Sequence, residues 1–572
     1  MRKLLRATVG LATAALAVLA CTTPATPASA ADAPYDVLVF SKTAGFRHDS
    51  IAVGTQAIRD LGAANSFTVA ATEDAAAFTT GNLAQYEAVI FLNTTGDVLN
   101  ASQQSAFESY ISSGGGYVGV HSAADTEYGW SFYGNLVGAY FRSHPAIQQA
   151  TVRVENRAHA ATAHLPQNWV RTDEWYDFQS NPRANARVLA NLNESTYSGG
   201  VMGADHPIAW CKTYNGGRSF YTGGGHTQAS YSEPAFRAHL LGGIRYAAGR
   251  TKADCRPETG YTSLYNGSTN GWSQAGPGSF SNSDATLTSV GGMGLFWHSA
   301  KQFTNYSLKL DWRVAGDDNS GVFIGFPPSS DPNSAINNGY EVQIDPTDAA
   351  DRTTGAVYGF KAADLAARDA ALNPAGEWNT YELLVEGERL QVFLNGSKIN
   401  DFTNTDPVRS LAGHIGIQNH GTGDDVSFRN IRIKELGGTN PPPGGDRTGR
   451  ITGLAGKCLD VRNGSSADGT QIQIWTCNGG AAQTWTVTPN STIRALGKCL
   501  DVNGAGSADG TKIQLWTCNG SGAQNWSAQS NGTLRNPNSG KCLDVSNNSS
   551  ADGQAVHLWT CHNNANQRWV LP

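Results

Sequence analysis

The chain has 572 residues, a net charge of −6 and a charged fraction of 15%, well below the ~25% usual in globular proteins. No basic stripe interleaves with aromatic residues, which argues against nucleic acid as a partner. Its length rules out a single core, and three or four domains are expected.

At the start, Arg2, Lys3 and Arg6 precede an apolar run from Leu11 to Ala20 and a small-residue stretch ending Ala28-Ser29-Ala30. This order reads as a secretory signal peptide over residues 1–30. Val18-Leu19-Ala20-Cys21 offers a second reading, a lipoprotein signal acylated at Cys21, which Leu19 fits poorly. No second long apolar run follows, so the mature protein is expected to be secreted and soluble, away from membranes unless Cys21 carries lipid. Nine cysteines less Cys21 leave eight, an even number that outside the cell points to four disulfides.

Residues 31–250 begin with an apolar strand, Tyr35 to Phe40, then a helical stretch after Ser50 and a second strand from Ala88 to Leu92. Such alternation predicts an α/β domain with a mainly parallel sheet. The strand in Gly114-Gly115-Gly116-Tyr117-Val118-Gly119-Val120 stops abruptly at His121, which places that residue at the carboxyl edge, where open α/β sheets hold their ligands. Phe40-Ser41-Lys42-Thr43-Ala44-Gly45-Phe46-Arg47-His48, Gly119-Val120-His121-Ser122-Ala123, Thr172-Asp173-Glu174-Trp175-Tyr176, Asp205-His206-Pro207 and Tyr221-Thr222-Gly223-Gly224-Gly225-His226-Thr227 resemble the ThuA-like (trehalose utilisation) family. That family is similar in fold to class I glutamine amidotransferases and the flavodoxin-like proteins. Where amidotransferases carry a nucleophilic cysteine this chain has His121, which excludes cysteine-based glutaminase chemistry. His48, His121, His144, His206 and His226, with Asp125, Glu127 and Glu174, form a set able to hold a divalent metal or to run acid–base chemistry. His121, Glu174 and His226 are the catalytic candidates, and His48 and His206 the supporting ones.

After a break around Gly249 to Gly260, residues 261–436 change to short strands of period two: Tyr306 to Val314, Gly321 to Phe326, Tyr340 to Ile344, Trp378 to Glu386, Leu390 to Leu394 and Val426 to Lys434. With turns such as Asn395-Gly396 they predict a β-sandwich. Asn319-Ser320-Gly321, Gly339-Tyr340-Glu341-Val342-Gln343-Ile344, Gly376-Glu377-Trp378-Asn379, Leu394-Asn395-Gly396 and Gly413-His414-Ile415-Gly416-Ile417-Gln418 resemble the 3-keto-disaccharide hydrolase family, which implies a concanavalin-like jelly roll. Glu341 and Gln343 lie two apart and so share a face. An unpaired charge in a core costs several kcal/mol, so that face is expected to be a groove. Both are catalytic candidates, with His420, Arg352 and Lys361 as further polar ones. Where members of the family often carry an arginine, this chain has Gly325.

A Gly/Pro linker over 437–447 leads to residues 448–572. There Lys457-Cys458-Leu459-Asp460-Val461 recurs from Lys498 and from Lys541, at intervals of 41 and 43 residues. Each copy leads to Trp-Thr-Cys and then Gln-x-Trp, which means threefold architecture. The pattern resembles the ricin-type β-trefoil lectin, or family 13 carbohydrate-binding module. The resemblance implies disulfides Cys458–Cys477, Cys499–Cys518 and Cys542–Cys561, leaving Cys211–Cys255 by elimination, and core positions for Trp485, Trp526 and Trp569. It also implies sugar pockets at Asp460, Gln473 and Trp475; at Asp501, Gln514 and Trp516; and at Asp544, His557, Trp559 and Asn566. Ala482 and Ala523 replace the asparagine in the first two repeats, and His557 replaces a glutamine in the third.

All three resemblances point to carbohydrate, and two concern sugars oxidised at C3. A C3 keto group acidifies the C2 hydrogen, so a glycosidic bond can break by elimination and hydration with a base, an acid and help for an enolate, often from a metal. The expected function is cleavage of (3-keto-)glycosides by a protein anchored to polysaccharide through its lectin domain. The alternative is a non-catalytic glycan-binding protein. A glycosidase with paired carboxylates is weaker, since no second acid is evident near Glu341.

Overall fold

The computed structural model describes residues 32–406, 408–436, 447–488, 492–529 and 532–572. The expected signal peptide with Cys21, and residues 437–446 of the linker expected over 437–447, lie outside the described residues; Arg447 already begins a strand, Arg447–Gly449.

The N-terminal domain is built on β1 (Tyr35–Phe40), β2 (Phe67–Thr72), β3 (Ala88–Leu92), β4 (Gly116–Val120), β5 (Gln148–Val154), β6 (Asn168–Asp173), β7 (Arg187–Asn193), β8 (Pro207–Tyr214) and β9 (Gly217–Thr222). They lie in one sheet in the order β2-β1-β3-β4-β9-β8-β7-β5-β6. Every residue of β3 and β4 is buried, as expected for parallel strands covered on both faces. Pairing is parallel from β2 across to β9 and antiparallel from β9 across to β6. The sheet is therefore half parallel rather than mainly so. The physical reason is the turn Asn215-Gly216, both residues at positive φ (47° and 92°), which folds β8 directly against β9 as a hairpin; a parallel pair needs a long crossover. Helix α1 (Ile51–Ala64) buries Ile51, Ala57, Ile58 and Leu61. Its Gly54 meets the Tyr231 ring so closely that a Cβ would come within 2.8 Å.

The middle domain is a sandwich. One sheet holds β10 (Trp272–Ala275), β11 (Gly294–His298), β12 (Ser320–Phe326), β13 (Tyr340–Ile344) and β14 (His414–Asn419), in the order β10-β11-β14-β12-β13. The other, eight-stranded, has Tyr306–Val314 between Val426–Glu435 and Asn379–Glu386. Val322, Ile324, Val342, Ile344, Ile415 and Ile417 make a buried apolar row on the smaller sheet, the pattern of an inner sandwich face. Gly325 sits at a bulge in β12 with φ 74°. A Cβ there would lie 2.0 Å from the Ser410 carbonyl oxygen, so this backbone has no room for the arginine that the resemblance led one to expect at this position.

These two domains form one compact unit and the C-terminal domain another. The segment between the first two is tied down: Cys211–Cys255 is bonded, Glu258 pairs with Arg187 at 2.8 Å and Arg432 at 2.5 Å, and Asp254 pairs with Lys309 at 2.9 Å.

The C-terminal domain repeats one hairpin three times. Cys458 faces Trp475, Cys499 faces Trp516 and Cys542 faces Trp559, and the three short-range disulfides, Cys458–Cys477, Cys499–Cys518 and Cys542–Cys561, are formed. Trp485, Trp526 and Trp569 lie in the shared core at 0, 4 and 5% exposure. Each copy also clasps the next: Asp468 holds Lys498 and the Thr517 amide, Asp509 holds Lys541 and the Thr560 amide, and Asp552 closes the ring on Lys457 and the Thr476 amide.

Candidate functional site

Three neighbouring loops at the carboxyl edge of the parallel strands bring histidines together. His48 follows β1, His121 follows β4 directly at φ 49°, and His226 follows the glycine run after β9. Asp173, at the end of β6, fixes the last of these loops by accepting from the amides of Gly225 (2.8 Å) and His226 (3.2 Å). Burial would raise the Asp173 carboxyl, but Arg171, at 2.8 Å, and the backbone donors outweigh it and hold it below its usual range.

Glu174 then reaches the cluster. Its Oε2 lies 3.4 Å from His121 Nε2 and 3.0 Å from His226 Nδ1, and those two nitrogens are 3.1 Å apart. His121 Nδ1 is engaged with the Gly223 carbonyl at 2.9 Å, and His48 Nδ1 with Ser122 Oγ at 3.3 Å. Glu174 Oε1 is held by His144 at 3.0 Å. Burial, then His121 and His226, push His48 down to about 3. Burial opposes the Glu174 charge, yet the adjacent imidazoles of His121 and His226 outweigh it and hold this carboxyl well below its usual range. In return, Glu174 overcomes the burial of His226 and raises it.

Five of the expected residues thus meet: His48, His121, His144, Glu174 and His226. His206 does not. Its Nε2 binds the Tyr176 carbonyl and its Nδ1 binds Glu194, so it reaches the cluster only through Tyr176, whose ring packs 4.0 Å from that of His121. Asp125 takes the Tyr128 hydroxyl, and Glu127 takes the amides of Val98 and Leu99; both serve the loops. A cavity of about 250 Å³ between the α/β and sandwich domains, lined by His164, Arg245, Arg313 and Trp378 among others, contains none of the expected residues.

On the sandwich, register aligns Gln343 with Gly321, Glu341 with Phe323 and, one strand on, Phe323 with Gly416. Leu295 faces Gln418 and Trp297 faces Gly416. Glu341, Gln343, Gln418, Trp297 and His414 therefore share one face. The expected open groove is corrected: Glu341 is 6% exposed and Gln343 1%. Burial alone raises the Glu341 carboxyl to about 8, so at neutral pH it is held mainly in its neutral form and no open groove is needed to solvate it. Glu341 Oε1, Gln343 Oε1, Gln418 Oε1 and Trp297 Nε1 are buried without a hydrogen-bond partner. Room for the carboxyl comes from Gly321, where a Cβ would lie 2.1 Å from Glu341 Oε1. Asp345, next in the row, is engaged by Asn319 Nδ2 and the Thr347 amide. His420 pairs with Asp424 at the surface, Arg352 lies over Tyr358, and Lys361 is exposed. Sequence reasoning missed Gln418 and Trp297, although period two on β11 and β14 carries both.

In the trefoil, Gln473, Gln514 and His557 each engage the facing aspartate, Asp460, Asp501 or Asp544, at 2.8, 3.0 and 3.0 Å. Gln483, Gln524 and Gln567 of the Gln-x-Trp pairs hold the same aspartates from behind, a role not anticipated for them. Asn566 adds a bond to Asp544. Beside each polar set stands a half-exposed ring, Trp475, Trp516 or Trp559, at 40, 38 and 39%, an apolar platform next to polar groups as sugars require.

Residues 36–247 match the trehalose utilisation (ThuA) family, residues 260–434 the 3-keto-α-glucoside-1,2-lyase-like domain, and residues 447–569 the ricin-type β-trefoil lectin domain. The chain carries these three domains in this order. A ThuA-like structure from Bacteroides uniformis is similar at 26% identity, covering 39% of this chain and 94% of that one, with a TM-score of 0.34. A structure described as a glycosyl hydrolase, from Parabacteroides distasonis, is similar at 24% identity, covering 31% and 99%, with a TM-score of 0.27. Ribosome-inactivating protein PMRIPt of Polygonatum multiflorum is 46% identical over 52 residues, 9% of each chain. The chain thus spans under a tenth of that curated relative's length.

Proposed function

We propose that the protein is a secreted enzyme that cleaves glycosidic bonds of 3-keto-glycosides, with the sandwich as its catalytic domain and the trefoil holding it to polysaccharide. The observation that carries this reading is the Glu341 carboxyl: buried, raised to about 8, with one oxygen unpartnered beside two unpartnered amide oxygens on the same face. Buried polar atoms without partners cost free energy unless something binds them.

A carboxyl poised near 8 suits a proton shuttle. Ionised Glu341 takes the C2 proton, the electron pair passes into the C3 carbonyl as an enolate, and its collapse breaks the C1–O bond, with the same proton passing from Glu341 to the departing oxygen. Water adds across the resulting double bond by the reverse sequence. Either amide, Gln343 or Gln418, can turn its NH₂ toward the enolate oxygen. One residue serves both steps, which fits Asp345 being engaged elsewhere.

The test is an NMR time course of the mature protein with a 3-keto-disaccharide, alongside Glu341→Gln. Release of free 3-keto-sugar by the native protein and none by the variant supports the reading. Absence of turnover across a panel of such substrates transfers the proposal to glycan binding alone.

A further inference from the structure

With His121 Nδ1 given to the Gly223 carbonyl, His121 Nε2 and Glu174 Oε2 are two acceptors 3.4 Å apart with no proton between them. A tetrahedral zinc site with bonds of about 2.0–2.1 Å has ligand–ligand edges of about 3.3–3.4 Å. The three edges among His121 Nε2, His226 Nδ1 and Glu174 Oε2 are 3.1, 3.4 and 3.0 Å. A donor atom of His48 completes a set of four that all lie within 4.8 Å of one another. Donor chemistry agrees, since imidazole nitrogens with one carboxylate suit borderline divalent ions of the first transition row.

The surrounding shell is that of a metal site as well. The Gly223 carbonyl accepts from His121 Nδ1, which leaves Nε2 as a lone pair facing the cluster. Ser122 Oγ occupies Nδ1 of His48, and His144 holds the outer oxygen of Glu174 so that Oε2 points inward. Metal-binding histidines and carboxylates are oriented in this way by partners on their far side. The backbone of His121, held at φ 49° directly after the strand, is strained in the way functional sites tend to be.

We infer that His48, His121, His226 and Glu174 bind one divalent transition-metal ion, zinc being the best match to the donor set. A second carboxylate–histidine group, Asp177, Glu194 and His206, offers the control. There His206 Nε2 is spent on the Tyr176 carbonyl and Nδ1 already has Glu194 and the Tyr197 hydroxyl.

The full mature chain, dialysed against chelator and then against buffer, is titrated with Zn²⁺ in a calorimeter and with Co²⁺ while its visible spectrum is recorded. The expected result is one equivalent of either ion, with Co²⁺ bands of a four-coordinate site. Binding weakens by 100-fold or more in Glu174→Ala and His121→Ala and is unchanged in Glu194→Gln. Should His121→Ala fail to fold, His226→Gln, altering a part-exposed ligand, replaces it. The inference is overturned if the native chain takes up no ion, if uptake survives in the Glu174 and His226 variants, or if it is lost with Glu194. None of these outcomes depends on the sandwich domain being active.

Discussion

The two glutamates at the centre of the two candidate sites are opposites. Glu174 is surrounded by His121, His144 and His226 and is held ionised. Glu341 has an oxygen with no partner and is held neutral. Both are largely buried, so burial does not distinguish them; the company they keep does. A buried carboxyl among imidazoles is a ready-made anionic ligand, whereas one beside unpartnered amide oxygens can change its charge on meeting a substrate.

The largest effect should come from the unpartnered carboxyl. Glu341→Gln keeps the shape and removes the proton shuttle, and should lower turnover of a 3-keto-glycoside by about 10²–10⁴-fold with glycan binding intact. Gly321→Ala should produce a similar loss by geometry alone, since its Cβ would occupy the place of Glu341 Oε1. Progress curves on both variants check this. If Gly321→Ala retained full activity, the position of that oxygen would not matter and the contrast between the glutamates would lose its functional meaning.

The contrast also predicts two limbs of a pH–stability profile. Glu341 has its folded pKa raised from 4.5 to about 8, so its contribution is fully present below about pH 4.5 and is lost as pH rises through 8, by a few kcal/mol. Glu174 is lowered from 4.5, so its contribution is present above that value and lost as pH falls further. Urea denaturation across pH should therefore show the alkaline fall flattened in Glu341→Gln and the acid fall flattened in Glu174→Gln. Turnover, which needs ionised Glu341, should rise with pH toward a plateau above about 8, opposite in direction to stability.

How much of this was legible in sequence differs by level. Strand limits such as Tyr35–Phe40 and Tyr340–Ile344 could be read because apolar runs and period-two alternation are local. That Glu341 and Gln343 share a face followed from the same period. That the face is buried did not, because what covers a sheet is not encoded in the strand itself. His206 and His226 sit in similar glycine-flanked, polar settings, and only topology separates them: His226 follows β9, whereas His206 precedes β8 and turns to Tyr176 and Glu194. The antiparallel half of the first sheet is marked in the sequence by Asn215-Gly216, a hairpin turn that the alternation of strands and helices does not reveal. The trefoil was the most legible region because three copies separate a recurring role from local noise. The clasping aspartates Asp468, Asp509 and Asp552 recur as plainly as the tryptophans, each in an Ala-Asp-Gly.

The smallest predicted effect lies in those three copies, which act as internal controls for one another. The three platforms are equally exposed, yet the third repeat alone carries the asparagine, and Asn566 adds a hydrogen bond that fixes Asp544. The ring of His557 lies against Trp559 at 5.1 Å and 20°, which further limits the motion of that platform. Trp559→Ala should therefore weaken binding of a soluble glycan by about tenfold, equivalent to about 1–2 kcal/mol. Trp475→Ala and Trp516→Ala, beside Ala482 and Ala523, should cost less. All three variants should melt with the native protein, since each ring is a surface group. Calorimetric titration of the three variants decides it: equal losses would mean that the platform alone makes the pocket and that the asparagine serves packing, whereas a loss confined to Trp559 would assign glycan binding to the repeat that carries the asparagine.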